Sequence, residues 1–184
     1  RPPRSTRTNT RAPCATLCRS AITVGTLTAG DNYDLKYTGA NLTINKKALT
    51  VTAEAKSKTY GDADPALTYT ANGLVGSDKL TGALTRASGD NVGEYAIQQG
   101  TLAASENYTL TYVGAKLTIS KKALTVTAEA KSKTYGDADP ALTYTASGLM
   151  GSDKLTGALT RAAGNDVGSY DITIGTLSAG GNYT

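Results

Sequence analysis

The chain contains no histidine, tryptophan or phenylalanine, and its only two cysteines, Cys14 and Cys18, lie near its start. Without an imidazole, no catalytic triad with a histidine base can be assembled. Without a thiol after residue 18, cysteine nucleophiles, cysteine zinc sites and a disulfide framework are excluded from the remainder. Phosphate-cradling loops of the GxGxxG or GK[ST] type are missing, and Gly100-Thr101-Leu102 and its copies read as turns at strand edges. No stretch approaches the roughly 18 apolar residues of a membrane-crossing helix. No basic segment leads into an apolar run as it does in a signal peptide.

Excess charge is missing too, once the total is divided along the chain. Of the 19 basic residues, five arginines lie in Arg1–Ser20, which holds no acid; 14 basic residues then face 15 acidic ones, whereas the whole chain reads +4. Beyond residue 20 lysines and acids are interspersed, with no arginine cluster and no aromatic-basic alternation, so no nucleic-acid partner is expected. Arg1–Ser20, rich in Arg, Pro and Thr, is expected to be a disordered basic tail that is foreign to the pattern after it.

What is present is repetition. Lys46–Ala71, KKALTVTAEAKSKTYGDADPALTYTA, returns letter for letter as Lys121–Ala146, and Lys46–Thr109 laid over Lys121–Thr184 leaves 12 mismatches among 64 positions. The period of 75 residues exceeds that of stacked solenoid repeats, roughly 20–50 residues, and suits a unit with its own small core. Ala21–Asn45 matches Ala96–Ser120 position for position. The organisation expected is therefore a tail (1–20), the C-terminal part of a truncated repeat (21–45), a complete repeat domain (46–120) and a second one (121–184) without its last strands.

Within the complete repeat the apolar period is two, the signature of strands with one wet face. Leu49, Val51, Ala53 and Ala55 alternate with Thr50, Thr52 and Glu54; Leu67, Tyr69 and Ala71 follow, then Leu80 to Leu84, Tyr95 and Ile97, Leu110 and Tyr112, Leu117 and Ile119. Breaks fall at Gly61-Asp62, Asn72-Gly73, Gly76-Ser77-Asp78, Gly89-Asp90-Asn91 and Val113-Gly114, where turn chemistry places them. Threonine, the commonest residue, favours pleated surfaces. The fold class expected is mostly β: tandem small antiparallel domains, each a β-sandwich, or β-grasp-like if Ser77–Leu84 forms a helical turn. No Gly or Pro occurs from Ala115 through Thr134, so consecutive repeats should be joined without slack.

Candidate chemistry is sparse. Asp62 and Asp64, repeated as Asp137 and Asp139, are alternate oxygen donors, yet a calcium site needs about six to eight oxygens and no further ligand run follows. Turn formation by aspartate explains them better. Tyr60, Tyr69, Tyr95, Tyr108 and Tyr112 could stack on a sugar, but most sit in the inward phase of strands and read as core with the hydroxyl at the rim. Asn41-Leu42-Thr43, Asn107-Tyr108-Thr109 and Asn182-Tyr183-Thr184 fit the N-x-Thr acceptor pattern, a frequent accidental match in a threonine-rich chain. No catalytic, cofactor-binding or metal-binding residue is assigned.

The motifs Tyr60-Gly61-Asp62, Gly73-Leu74, Val92-Gly93-Glu94-Tyr95, Gly100-Thr101-Leu102 and Asn107-Tyr108-Thr109, with near-identical copies in the second repeat, resemble the MBG-type repeat domain of the Tyr-Gly-x form. That resemblance covers about Ala21–Thr184. It implies an exported, β-rich tandem repeat of bacterial surface proteins such as adhesins similar to filamentous haemagglutinin, with no catalytic residue to carry over. The function expected is a non-catalytic module of a cell-surface or secreted adhesin, acting as a stalk or spacer whose partners are neighbouring repeats. The alternative is an adhesive array that itself binds host glycan or protein; serial copies serve reach or avidity better than catalysis. Leu35–Asn45, LKYTGANLTIN, nearly copies the strands missing from the second repeat, so head-to-tail self-association is also expected.

Overall fold

A computed structural model describes residues 19–184, and among the described residues the chain forms only strands, bridges and turns. In chain order the strands are β1 (Arg19–Ile22), β2 (Ala40–Thr43), β3 (Lys47–Ala53), β4 (Lys56–Thr59), β5 (Tyr69–Asn72), β6 (Thr85–Arg86), β7 (Gly93–Gln98), β8 (Tyr108–Val113), β9 (Ala115–Ser120), β10 (Thr125–Ala128), β11 (Tyr144–Ser147), β12 (Thr160–Arg161) and β13 (Ile172–Thr173). Strands β3 to β9 belong to the first full repeat and β10 to β13 to the second. Most of the tail expected over Arg1–Ser20 lies outside the described residues. Arg19 and Ser20 do not follow that expectation, because their backbones pair with Thr43 and Leu42 and open β1.

Alternation along β3 buries Leu49, Val51 and Ala53 and leaves Thr50 and Thr52 in solvent, as the pleat dictates. Along β9 the same rule buries Leu117 and Ile119 and exposes Lys116 and Thr118. The strands of the first full repeat make two sheets, ordered β5-β3-β8 and β4-β9-β7-β6. The chain passes from β3 to β4 through Glu54-Ala55, and from β8 to β9 through Gly114. Each of these long strands thus contributes one half to each sheet, which is how corners are made in two-sheet packing. Leu49, Val51, Ile97, Leu102 and Leu117 fill the space between the sheets, and Ile119, further along β9, is buried as well.

The expected antiparallel ladders are present at β5–β3, β6–β7 and β7–β9. Two further ladders are parallel: β3 with β8, and β4 with β9. Lys47 lies beside Tyr108 at one end of this double ribbon, and Thr59 beside Ser120 at the other. Ser77–Leu84 is not helical. Gly82 has φ +82°, outside the helical region, and Thr81 instead makes an antiparallel bridge to Ala103. A Cβ on Gly82 would stand 2.1 Å from the Thr101 carbonyl oxygen, so glycine is required for both conformation and space. The grasp-like variant that depended on a helical turn there is therefore absent.

The second repeat reproduces the first in part, keeping the counterparts of the β3–β5 and β6–β7 ladders. Thr125 pairs with Ser147 and Thr160 with Thr173, matching Thr50 with Asn72 and Thr85 with Gln98. No described strand takes the place of β9, however, and of its large side chains only Leu177 and Tyr183 are buried. The segment 21–45 keeps one element of the repeat. Ala21 pairs with Asn41 and Ile22 with Ala40, the register that joins Ala96 to Lys116 and Ile97 to Ala115. Its side chains are all exposed, since no sheet covers them.

Leu117→Ala is expected to lower the unfolding free energy of the first repeat by about 2–5 kcal/mol, whereas Val113→Ala, on the wet face of the adjoining strand, should change it by under ~0.5 kcal/mol. Urea unfolding of the two variants checks the assignment; equal costs would show that Leu117 is not a core residue.

Candidate functional site

Two sets of polar contacts converge on the turn Tyr60-Gly61-Asp62-Ala63-Asp64-Pro65. The first faces the repeat's own body. Asp64 accepts from Arg86 Nε at 2.5 Å and from Lys58 Nζ at 2.7 Å, and Arg86 also donates to the carbonyls of Ala87 and Gly89 and to Asp90 Oδ1. The guanidinium lies 5.5 Å from the centroid of the Tyr95 ring, a cation–π arrangement. Arg86 is the only arginine of its repeat. It ties the Tyr-Gly-Asp turn to the loop Ala87–Asn91 and to the Val-Gly-Glu-Tyr motif. Asp62 caps the turn itself, accepting from the Thr59 backbone N–H at 3.3 Å.

The second repeat has the same lock: Arg161 donates to Asp139 at 2.7 Å, to the carbonyls of Ala162 and Gly164, and stands 5.5 Å from the Tyr170 ring. The guanidinium–carboxylate hydrogen bonds, followed by those from lysine, hold the Asp64 and Asp139 carboxyls down at about 2. These carboxylates are therefore occupied by cations of their own repeat. Among the described residues no group of three or more His, Cys, Asp or Glu side chains is placed to hold a metal ion.

The second set of contacts crosses from one repeat to the next. The Tyr60 hydroxyl donates to Asp153 Oδ2 at 2.9 Å, and its ring meets that of Tyr183 edge to face, with centroids 5.5 Å apart and planes at 77°. Tyr183, itself buried, donates to the same carboxylate and accepts from the Met150 backbone N–H at 2.9 Å. Asn182 bridges back: its Oδ1 accepts from the Val92 N–H and its Nδ2 donates to Asn91 Oδ1, both at 2.9 Å. The Met150 side chain lies against Gly61, so close that a Cβ there would meet its Cε at 2.6 Å. With φ at +84°, Gly61 also adopts a conformation that other residues rarely take. The Tyr60 hydroxyl is held neutral above its ordinary range, first by its bond to Asp153 and then by burial. For Tyr183 burial comes first and Asp153 second.

This joint consists of a hook, Tyr60-Gly61 with Asn91-Val92, and a socket of Met150, Asp153, Asn182 and Tyr183. Covalent connection reinforces it, because Ser120 at the end of β9 accepts from the Tyr60 N–H at 2.9 Å and the chain continues directly into the second repeat. Both elements recur. In the first repeat the socket's counterparts are already assembled, with Tyr108 donating to Asp78 at 2.6 Å and accepting from the Val75 N–H at 2.9 Å. The second repeat presents the hook residues Tyr135 and Gly136, Tyr135 being 70% exposed and Gly136 having open space where a Cβ would point.

Of the five tyrosines, most of them read as core, Tyr108 is buried, Tyr95 and Tyr112 are half-buried at the rim, Tyr60 belongs to the joint, and Tyr69 is 36% exposed. Asn182, which carries an N-x-Thr match, is engaged in the joint. Sequence reasoning passed over Arg86 and Met150, and read Asn182 only as an accidental N-x-Thr match. One arginine per repeat, at equivalent places, was a usable signal for the first; nothing local marks Met150 or points Asn182 toward a neighbouring repeat.

Fold and joint together define an all-β repeat domain made to follow itself along a chain. The family model for the MBG domain (YGX type) matches residues 49–118 and 124–184, and the chain belongs to that family. Its Tyr-Gly-x motif is here the turn that carries the hook. Members are repeat domains of surface proteins and are generally non-catalytic. Neither a curated protein nor a solved structure matches the chain.

An unfolded aspartate takes up its proton near pH 3.9, but Asp64 and Asp139 keep theirs off until about 2. Their stabilising effect is thus complete above about pH 4 and disappears as the pH falls toward 2. The Asp64→Asn/Asp139→Asn variant is expected to have a lower urea midpoint than the parent at pH 7 and to converge with it between about pH 4 and 2. A gap of constant size at all pH values would rule out ionised carboxylates as the cause.

Proposed function

We propose that this chain is a non-catalytic stalk segment of a bacterial cell-surface or secreted adhesin, in which domains of residues 46–120 and 121–184 act as stiff spacers. The observation that carries this reading is the joint: successive repeats meet through a preformed hook and socket in addition to a short peptide connection. A linker without slack together with a specific contact fixes the direction of each repeat relative to the last, and that property is useful to a projecting stalk. Membership of a family of surface repeat domains supports the setting. The partners of each repeat are then its neighbours in the same chain.

Small-angle scattering and interdomain residual dipolar couplings on the chain test the spacer. The parent should show one fixed relation between the two repeats. Tyr60→Ala combined with Asn182→Ala should broaden it, while the urea midpoint of the first repeat moves by no more than about 0.5 kcal/mol equivalent. Freely reorienting repeats in the parent would refute stiffness. A glycan array probed with the same chain separates the adhesive alternative, since specific glycan capture would assign binding to the repeats themselves.

A further inference from the structure

Met150 is the single methionine of the chain, and no cysteine follows residue 18. The repeats thus hold one sulfur atom between them, and the fold places it in the joint. Gly61 of the first repeat faces it: a Cβ on that glycine would stand 2.6 Å from Met150 Cε, 2.8 Å from Cγ and 3.0 Å from Sδ. Ordinary contacts between carbon atoms are about 3.5–4.0 Å. The thioether therefore already occupies the space that even a methyl group on the hook would need. Gly61 also has φ +84°, so the hook answers this side chain with bare backbone that only glycine supplies readily.

Polar groups of the joint are committed to one another. The hydroxyls of Tyr60 and Tyr183 both donate to Asp153, the Val92 N–H and the Asn182 amide pair across the junction, and the Met150 N–H donates to Tyr183. An additional acceptor at the sulfur would find these donors already in use. Met150 is only half-buried, so part of the residue faces solvent while the repeats stay folded. The equivalent residue of the first repeat is Val75, which has no sulfur.

We propose that Met150 is an oxidation site that serves as a latch: a peroxide converts its thioether to the sulfoxide and the joint opens, and reduction closes it again. In this step a lone pair on Sδ attacks one peroxide oxygen, and the O–O bond breaks as the S–O bond forms. The departing hydroxide takes the proton left on the transferred oxygen and leaves as water. Sulfur is oxidised to the sulfoxide and the peroxide is reduced. Space and polarity both then oppose the closed joint. One more heavy atom enters a contact that has no room for a methyl group, and a strong acceptor is placed among donors engaged elsewhere. A socket with valine at this place has no atom to oxidise, so sensitivity belongs to the particular joint and not to the repeat fold. The inference rests on the stiff-spacer reading, because only a closed joint can be opened.

The test treats the full chain with hydrogen peroxide until mass spectrometry finds one added oxygen on the peptide that carries Met150. Exchange of the Val92 amide, which donates across the joint to Asn182, should then speed up by about tenfold or more. Small-angle scattering should show a broadened relation between the repeats, while the amides of Leu49 and Leu117 in the core stay protected. Sulfoxide reductases for the two epimers should restore both readings. Met150→Leu, which keeps apolar bulk without sulfur, should be closed before peroxide and unmoved by it. A parent that stays stiff, with Val92 protected, once Met150 is fully oxidised overturns the latch and leaves the spacer reading standing. Repeats that reorient freely before any peroxide is added overturn both. The latch falls as well if peroxide loosens Met150→Leu as much as the parent, which would assign the effect to another residue, or if the core amides exchange faster in step with Val92, which would make it unfolding.

Discussion

The feature on which the molecule turns is the parallel pairing of a repeat's first long strand with its last. β3 and β4 together run beside β8 and β9 in the same direction, so the chain enters the repeat at the Lys47 end and leaves it at the Thr59 end. Had these strands been antiparallel, entry and exit would lie at the same end and successive repeats would fold back beside one another. With the parallel arrangement, each repeat must begin where the previous one stops. The socket residues cluster about the entry end, near Tyr108 and its counterpart Tyr183, and the hook follows β4 at the exit end. Geometry of the ladder thus brings hook to socket at the junction.

The Tyr-Gly-Asp-Ala-Asp-Pro turn divides its labour by side chain. Tyr60 and Gly61 face the next repeat, whereas Asp62 and Asp64 face their own, and the Arg86 fork fixes the turn from within. A surface ion pair by itself contributes little. Here Arg86 is shared among two carboxylates, two carbonyls and a ring, and the neighbouring Lys58 side chain is only 8% exposed. A network that immobilises the turn presents the tyrosine already oriented, which lowers the ordering cost of the joint. Two of the few differences between the copies fall at this contact: Met150 stands where the first repeat has Val75, and Asn91 where the second has Asp166. Methionine suits the former place because its flexible thioether can lie over a glycine.

Much of the fold was legible in the sequence, for reasons that also mark where legibility ended. Period-two alternation located β3, β7, β8 and β9, since each has one face on the core, and β5 as well, although all four of its residues are exposed. It could not reveal direction, because a parallel neighbour and an antiparallel one impose the same alternation. It missed β4 altogether: Lys56-Ser57-Lys58-Thr59 has no apolar residue, and its place in the sheet is set by pairing with β9. It overread Leu80–Leu84, where leucine spacing mimics a strand but Gly82 turns the chain. The joint was the least visible element. Tyr60 and Asn182 lie more than a hundred residues apart, and each has a local explanation, core for one and a glycan acceptor pattern for the other.

The repeat supplies its own control on what a local sequence can decide. Lys46–Ala71 and Lys121–Ala146 are identical, yet Leu49 is wholly buried while Leu124 is only half-buried, and Lys56–Thr59 is a strand while 131–134 is not. A second series says the same: Ile97 is 2% exposed, its counterpart Ile172 is half-buried, and Ile22 is 50% exposed. Propensity, alternation and turn chemistry are constant within each set, so none of them can produce the difference. What varies is which partner strands are there: the second repeat holds only Tyr183 and Thr184 of the counterpart of β8 and none of β9, and the pair β1–β2 keeps the β7–β9 register with no second sheet to cover it. Strand formation at Lys56–Thr59 is therefore a consequence of long-range pairing that closes the two sheets over Leu117 and Ile119, and the stable unit is the complete strand set, not any segment of it.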